Sequence, residues 1–326
     1  MKISVIFTGG TIGSALNDGY VGPTDSAKYV LLQHFDYYND EVEFIPSSPY
    51  TALSENLSAH ELNLLKSAIS HELASDSDGI IVTHGTDTLQ YSATAAELIF
   101  YGCAKPIVFV SANYPLGDSR SNGFANFVAA VEFLKTKPQG VFVSYKNDNE
   151  NTTSIHIASH TLCHRECDAN VYSIVGFPYA EYDGKSITFS EKNKAHDSNA
   201  SCDFAFSDAS GILAIESYPG DSYSYSLDGV KSVLLRPYHS ATLCTASENL
   251  KEFCKRASGK GIPVFVVNVK GGTAYESTKE FSRLGITPLP YSTFISAYMK
   301  LWIAHSAGID AKEFAKKRIA NEIDFE

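Results

Sequence analysis

The strongest constraint on how this chain folds is the alternation of short apolar runs with amphipathic stretches. Lys2–Phe7, Gly79–Thr83, Pro106–Val110 and Val141–Ser144 are short and rich in β-branched and aromatic residues. Runs of that length and uniformity read as strands covered on both faces, as in a parallel sheet. Between them, Ser58–Ala74 carries Leu62, Leu65, Ile69 and Leu73 at spacings of three and four, the period of one helix face. Ser92–Phe100 and Asn122–Leu134 are shorter versions. Strand and helix in alternation predict an α/β fold built on a mostly parallel, doubly wound sheet.

The pattern changes after Val143. Ile174–Phe189 reads as strands around the turn Tyr182-Asp183-Gly184-Lys185, and Ser190–Ser201 has almost no apolar content, as a linker does. Alternation resumes with Gly211–Ile215, Val230–Leu235, Glu248–Ala257 and Pro263–Val269. The chain has 326 residues, and a domain takes about 150. The expected organisation is therefore a larger N-terminal α/β domain over 1–190, a linker over 191–207 and a smaller C-terminal α/β domain over 208–326.

Charge and cysteine content narrow the function classes. Lys and Arg number 26 against 37 Asp and Glu, a net charge of −11. Such a chain lacks the cationic field that nucleic acid binding uses, so no nucleic acid partner is expected. Its 6 cysteines are too sparse for a disulfide scaffold and suit a reducing compartment. The apolar run before Thr8 is too short for a secretory core, and no stretch of about 18 apolar residues occurs. A cytoplasmic protein with no membrane contact is expected.

In open α/β sheets, ligands bind outside the carboxyl ends of the strands. Thr8-Gly9-Gly10-Thr11-Ile12-Gly13-Ser14 follows the first strand. Thr83-His84-Gly85-Thr86-Asp87-Thr88 and Ser111-Ala112-Asn113-Tyr114-Pro115 follow later ones. All three loops are expected on one sheet edge. Paired glycines let backbone approach a ligand. A threonine hydroxyl there becomes a nucleophile when a base takes its proton. The competing reading is a pair of tight turns that merely cap helices, since Thr and Asp are ordinary caps.

Other motifs fail on spacing. Gly9-Gly10-Thr11-Ile12-Gly13 lacks the dinucleotide fingerprint, and Gly184-Lys185-Ser186 lacks the earlier glycine of a phosphate loop. His60-Glu61 and His71-Glu72 lack the second histidine of a zinc protease helix.

Taken together, Thr8-Gly9-Gly10-Thr11-Ile12-Gly13 and His84-Gly85-Thr86-Asp87-Thr88 resemble the two signature loops of the bacterial L-asparaginases. Gly19-Tyr20-Val21 resembles the family's flap tyrosine, and Thr51–Leu57 its substrate-carboxylate segment. Lys105–Val108, Pro115-Leu116 and Arg120–Gly123 follow its next strand and loop, and Ile212–Gly220 the start of its C-terminal domain. The details are closest to the cytosolic type I branch.

The resemblance implies deamidation of L-asparagine to L-aspartate and ammonia. Thr11 would be the nucleophile, helped by Tyr20. Thr86 would lie near the scissile group, and Asp87 would hold the substrate ammonium. Ser54 would bind the α-carboxylate, with Glu55, Gly10 and Gly85 in the substrate site and the Ala112 carbonyl near the leaving nitrogen. Backbone N–H groups near Thr11 and Thr86 would hold the oxyanion. No cofactor or metal is implied. A homodimer or homotetramer is.

One departure stands out. The family carries a lysine after a threonine in a segment matching Ala158–His164, and Leu162 takes that position here. Leucine neither moves a proton nor balances Asp87, which would then stand desolvated without a counter-charge. His164 or Arg165 could fill the gap, the enzyme could be slow, or the protein could be a catalytically weak or inactive amino-acid-binding relative. Asn122 likewise stands where the family shows Asp. A third class of function, a zinc-dependent hydrolase, rests on His156, His160, Cys163, His164 and Cys167 lying close in sequence. Cys103, Cys202, Cys244 and Cys254 read as single free thiols.

Overall fold

The computed structural model describes residues 1–17, 20–23, 30–33, 35, 41–165, 167–191, 204–267 and 275–323. The chain divides into two compact units. One comprises Met1–Ser201 with Ile319–Asn321, the other Cys202–Arg318 with Glu322–Glu326.

The first unit is built on an eight-stranded sheet. In chain order its strands are β1 (Lys2–Phe7), β4 (Glu43–Ser47), β5 (Gly79–Thr83), β6 (Ile107–Val110), β7 (Val141–Tyr145), β8 (Thr153–Ile157), β9 (Ala180–Tyr182) and β10 (Ile187–Phe189). Their spatial order is β10-β9-β8-β7-β6-β5-β1-β4. The run from β4 to β7 is parallel, and β8 to β10 add antiparallel strands. A separate hairpin pairs β2 (Ser14–Asn17) with β3 (Tyr20–Pro23).

Alternation along each strand explains the two-sided core. Ile3, Val5, Ile81, Val108 and Val110 face one layer with the helix Gly123–Lys135. Ile6, Ile80, Val82, Ile107 and Phe109 face the other, with Leu65 and Ile69 of helix Ala59–Ala74 and Ala93 and Ala96 of helix Leu89–Phe100. A central parallel strand must be apolar on both faces, so the runs without alternation in the sequence become the middle of the sheet. Ser58 starts its helix with a capping box, its side chain and that of Glu61 each bonding the other's backbone. The Asp183-Gly184 turn joins β9 and β10, with Asp183 Oδ1 accepting from Lys185 N at 2.9 Å and Ser186 N at 2.8 Å.

The buried Glu97 carboxylate closes the first unit. It accepts from Ser159 N at 2.6 Å and from Asn321 Nδ2 at 2.8 Å. Asn321 O in turn accepts from His160 Nε2 at 2.8 Å.

The second unit holds a parallel sheet in the order β11 (Ile212–Glu216), β12 (Ser232–Arg236), β13 (Val264–Val266), β14 (Ile286–Pro288). Residues 192–200 of the linker stretch, Cys202, and Asn268 and Val269 lie outside the described residues. Among the described residues no helix is long and apolar enough to cross a membrane.

A buried ion pair in this unit gives a stability prediction. Lys300 Nζ, on helix Phe294–Ala307, lies 2.8 Å from Glu322 Oε1, with side-chain exposures of 1% and 0%. Lys300→Met takes the ammonium away from a fully buried carboxylate, and breaking a buried pair from one side costs about 3–5 kcal/mol. Urea unfolding should register that loss, and Lys300→Met/Glu322→Leu should recover much of it. A loss below about 1 kcal/mol for the single variant would refute the prediction.

Candidate active site

Because β1, β5 and β6 are parallel neighbours, the loops that follow them leave the same sheet edge. Thr8 ends β1 by donating from its N–H to Thr83 O at 3.3 Å and from Oγ1 to the same oxygen at 2.7 Å. Ala52 N then donates to Thr8 O at 3.0 Å, and Gly10 N to Ala52 O at 3.2 Å. The Gly10 N–H is thus engaged, so Gly10 supplies shape rather than a donor for a substrate.

That shape is a close approach of two backbones. A Cβ on Gly10 would lie 2.3 Å from Gly85 Cα, and one on Gly85 would lie 2.4 Å from Ser54 Oγ. Only glycine permits the contact. Thr11 and Thr86 each follow one of these glycines. Thr11 opens the 3-10 turn Thr11–Gly13 and is half-buried, while Ile12 beneath it joins the core. The side chain of Tyr20 lies outside the described residues, and so does Gly19.

On the second loop, Asp87 is exposed, which corrects the expectation of a desolvated carboxylate. Its Oδ2 accepts from Ser54 Oγ at 3.3 Å. Thr88 Oγ1 donates to Ser54 O at 2.8 Å, and Gln90 Nε2 to Asp87 O at 3.1 Å. Ser54 is therefore gathered against Asp87, whereas Glu55 beside it is exposed. Ala112 is fully buried after β6.

A cavity of about 540 Å³ opens beside this cluster, with Thr86, Asp87, Asn113, Tyr145 and His164 in its lining. Thr11 and Ser54 are not among the lining residues. Asn113 and Tyr145 sit just after β6 and at the end of β7, where the strand-end rule places ligand contacts, but no motif flags them. Asn113 is held by a reciprocal pair. Its N–H donates to Asn122 Oδ1 at 2.9 Å, and Asn122 N donates to Asn113 Oδ1 at 3.0 Å. Asn122 Nδ2 donates to Lys146 O at 2.7 Å. A carboxylate at 122 could not make that last bond, which gives the asparagine a local reason.

The remaining wall is the loop after β8, which holds Leu162. Leu162 N donates to Tyr172 O at 2.9 Å and the lining begins at Cys163, continuing through Arg165, Cys167 and Asp168. His164 Nδ1 lies 3.1 Å from Asn170 O. The Arg165 guanidinium stacks 4.1 Å from the Tyr172 ring centroid. Hydrogen bonds from Asn170 N–H and the Tyr172 hydroxyl hold Asp168 below the usual carboxylate range. Tyr145 donates to Ala169 O at 2.8 Å, and burial pushes its phenol up to about 12. The histidines and cysteines of the zinc reading do not converge. His156 is buried in β8, His160 bonds Asn321, and Cys163, His164 and Cys167 line the cavity. Among the described residues no group of three or more His, Cys, Asp and Glu side chains is placed to hold a metal ion.

Two buried histidines set an acid limit. Burial pushes His84, in the second loop, and His156 each down to about 4. The ordinary imidazole binds its proton near pH 6.5. The unfolded chain therefore takes up protons that the folded one refuses. The stabilisation is full above about pH 6.5 and is lost as pH falls toward 4, at about 3 kcal/mol for each histidine. The melting temperature should drop from pH 7 to pH 5, and His156→Asn should flatten the slope. Equal slopes in the two proteins would contradict this origin.

A doubly wound sheet thus gathers two glycine–threonine loops and a carboxylate at its strand ends. The description "Asparaginase, N-terminal" matches residues 2–192, and the chain belongs to the asparaginase family. A glutamyl-tRNA(Gln) amidotransferase subunit from Haloquadratum walsbyi is 28% identical over 202 residues, covering 60% of this chain and 45% of the relative. The chain thus spans about half the length of that relative. The amidotransferase subunit of the same name from Methanobrevibacter smithii is 25% identical over 349 residues, covering 99% and 77%. L-asparaginase 1 of Escherichia coli is 26% identical over 162 residues, 48% of each chain. Among solved structures, the thermostable L-asparaginase from Thermococcus kodakarensis superposes with a TM-score of 0.83 at 21% identity, covering 99% of both chains. That last likeness speaks to the fold alone.

Proposed function

We propose that the protein hydrolyses the side-chain amide of L-asparagine to L-aspartate and ammonia, as a cytoplasmic homo-oligomer. The observation that carries this reading is the backbone contact of Gly10 with Gly85, which brings the Thr11 loop against the Thr86-Asp87 loop. Thr11 Oγ1 bonds to the amide carbon, and the carbonyl electrons move to oxygen. Backbone N–H groups near Thr11 and Thr86 hold that oxyanion, where one lost donor costs about 2.7–4 kcal/mol. The carbon–nitrogen bond then breaks, ammonia leaves with the proton, and water releases aspartate from the threonine ester. Asp87 holds the ammonium group and Ser54 the α-carboxylate. Gly10, Gly85, Glu55 and Ala112 frame the substrate, and Tyr20 assists Thr11.

The relatives named as amidotransferase subunits favour a second substrate, the amide of glutamine. Ammonia release from L-asparagine and L-glutamine, with and without a chelator, tests both. Chelator-insensitive release from asparagine, absent in Thr11→Ala, supports the proposal. A protein that asparagine stabilises against heat, by about 2.7 kcal/mol at a hundredfold excess over Kd, yet never turns over, would instead be a binding relative.

A further inference from the structure

We propose that the cavity of about 540 Å³ beside Thr86 and Asp87 is a leaving-group subsite. It takes an amine that bears a carboxylate, so the protein cleaves secondary amides of the aspartate side chain, and Arg165 is the residue that reads the carboxylate. The inference rests on the amidohydrolase reading above and names a substrate class for it.

The first observation is unused space. Pockets of about 300–1,000 Å³ hold drug-sized ligands, so this one has room for more than a single amino acid. Thr11 and Ser54, assigned to the amide carbon and the α-carboxylate, lie outside its lining, whereas Thr86 and Asp87 belong to it. A bound asparagine therefore reaches the cavity from one side and leaves most of its volume unfilled.

A further group could be attached to asparagine at its α-amine, its α-carboxylate or its side-chain amide. An acyl group on the α-amine removes the positive charge that Asp87 holds. A group on the α-carboxylate would start from Ser54, away from the lining. The amide nitrogen remains. Ala112, with its carbonyl expected beside that nitrogen, is followed directly by Asn113, which lines the cavity.

The opposite wall decides what that group carries. Arg165 is exposed, and its guanidinium stacks 4.1 Å from the Tyr172 ring centroid. Among the described residues no hydrogen bond or ion pair engages its nitrogens. Asp168, the carboxylate of the same loop, accepts instead from Asn170 N and from the Tyr172 hydroxyl, both at 2.9 Å. Those bonds fix the ring on which the guanidinium lies, so the cation is positioned while its donors stay unspent. Such a planar fork matches a carboxylate with two parallel hydrogen bonds. The cavity thus offers a carboxylate to the substrate's ammonium and a guanidinium to an acid group on the leaving amine. An amino acid joined through its nitrogen to the aspartate side chain has both.

The step balances. The threonine oxygen bonds to the amide carbon, and as the carbon–nitrogen bond breaks the hydroxyl proton goes to the departing nitrogen. A free amino acid leaves where ammonia leaves from asparagine. Water then cleaves the threonine ester, one of its hydrogens returns to the threonine oxygen, and aspartate is released.

The test gives the full chain β-aspartylglycine, the same dipeptide capped as its C-terminal amide, L-asparagine and L-glutamine, and follows glycine, glycine amide and ammonia by chromatography. Expected are aspartate and glycine from β-aspartylglycine, with kcat/KM about tenfold or more above that of the capped dipeptide, the size of effect one charge-assisted contact gives. Arg165→Gln should lose that preference. Ammonia from asparagine with no glycine from β-aspartylglycine overturns the subsite while leaving the amidohydrolase reading intact. Equal kcat/KM for the two dipeptides, or a preference unchanged in Arg165→Gln, overturns the role of Arg165. No product from any of the four compounds overturns both readings.

Discussion

Thr11→Ala is expected to release no ammonia above background while keeping its fold and its affinity for L-aspartate. Removing a covalent nucleophile typically costs 10⁴-fold or more in kcat, roughly. The choice of Thr11 over its neighbours follows from where the hydroxyls are committed. Thr8 is buried and donates to Thr83 O at 2.7 Å, and Thr88 donates to Ser54 O at 2.8 Å. Neither proton is available to a base without breaking a bond that holds the loops. Thr11 is half-buried on its turn, and Thr86 lines the cavity. The decisive comparison is therefore Thr11→Ala with Thr86→Ala, by steady-state and single-turnover ammonia release. A Thr11→Ala enzyme that keeps turning over, beside a dead Thr86→Ala enzyme, would move the nucleophile to Thr86. Thr11→Ser should retain measurable activity, because the oxygen is kept.

The missing lysine changes character in the light of the loop's geometry. The sequence presents Leu162 as a lost charge beside Asp87. In the structure Asp87 is exposed and accepts from Ser54, and the wall beyond it carries an imidazole and a guanidinium from His164 and Arg165. The Arg165 guanidinium lies three positions beyond Leu162 and lines the same cavity as Asp87.

What was legible beforehand follows from periodicity and chain-local chemistry. β1, β5, β6 and β7 announce themselves because a central parallel strand is apolar on both faces, and the helix Ala59–Ala74 because one face repeats. β4 was not legible. Glu43–Ser47 is an edge strand of mixed polarity that contains Pro46, and its place is set by pairing with β1 rather than by its own pattern. At the site, the two threonine loops are visible because, taken together, they resemble the paired signature loops of one family. Asn113 lies in the Ser111–Pro115 loop that the strand-end rule places on this edge, whereas Tyr145 carries no signal and joins it only because β6 and β7 are neighbours. The 156–167 stretch was misleading for a different reason. Its histidines and cysteines are close in sequence, yet a strand and a 3-10 turn send His156 and His160 into the core while the later residues face the cavity.

Gly10→Ala should be nearly as damaging as loss of the nucleophile, through stability as well as rate. Gly10 has φ 75° and ψ 179°, a region that is essentially glycine's alone. An alanine there costs about 1–3 kcal/mol in backbone strain before any contact is counted. The added Cβ would then lie 2.3 Å from Gly85 Cα, 2.3 Å from Gly85 N and 2.7 Å from His84 C. All three are backbone atoms, so no side chain can swing aside. The two loops must part, and with them the register between Thr11 and the Thr86-Asp87 pair, where a displacement of about 1 Å can cost a hundredfold in rate. A melting temperature several degrees lower and kcat/KM reduced by about 10²-fold or more are expected. Gly117→Ala is the matched control, since a Cβ there has nothing within 4 Å. A Gly10→Ala protein that melts and turns over like the Gly117→Ala protein would show that the two loops do not depend on this contact, and the catalytic pairing built on it would go with it.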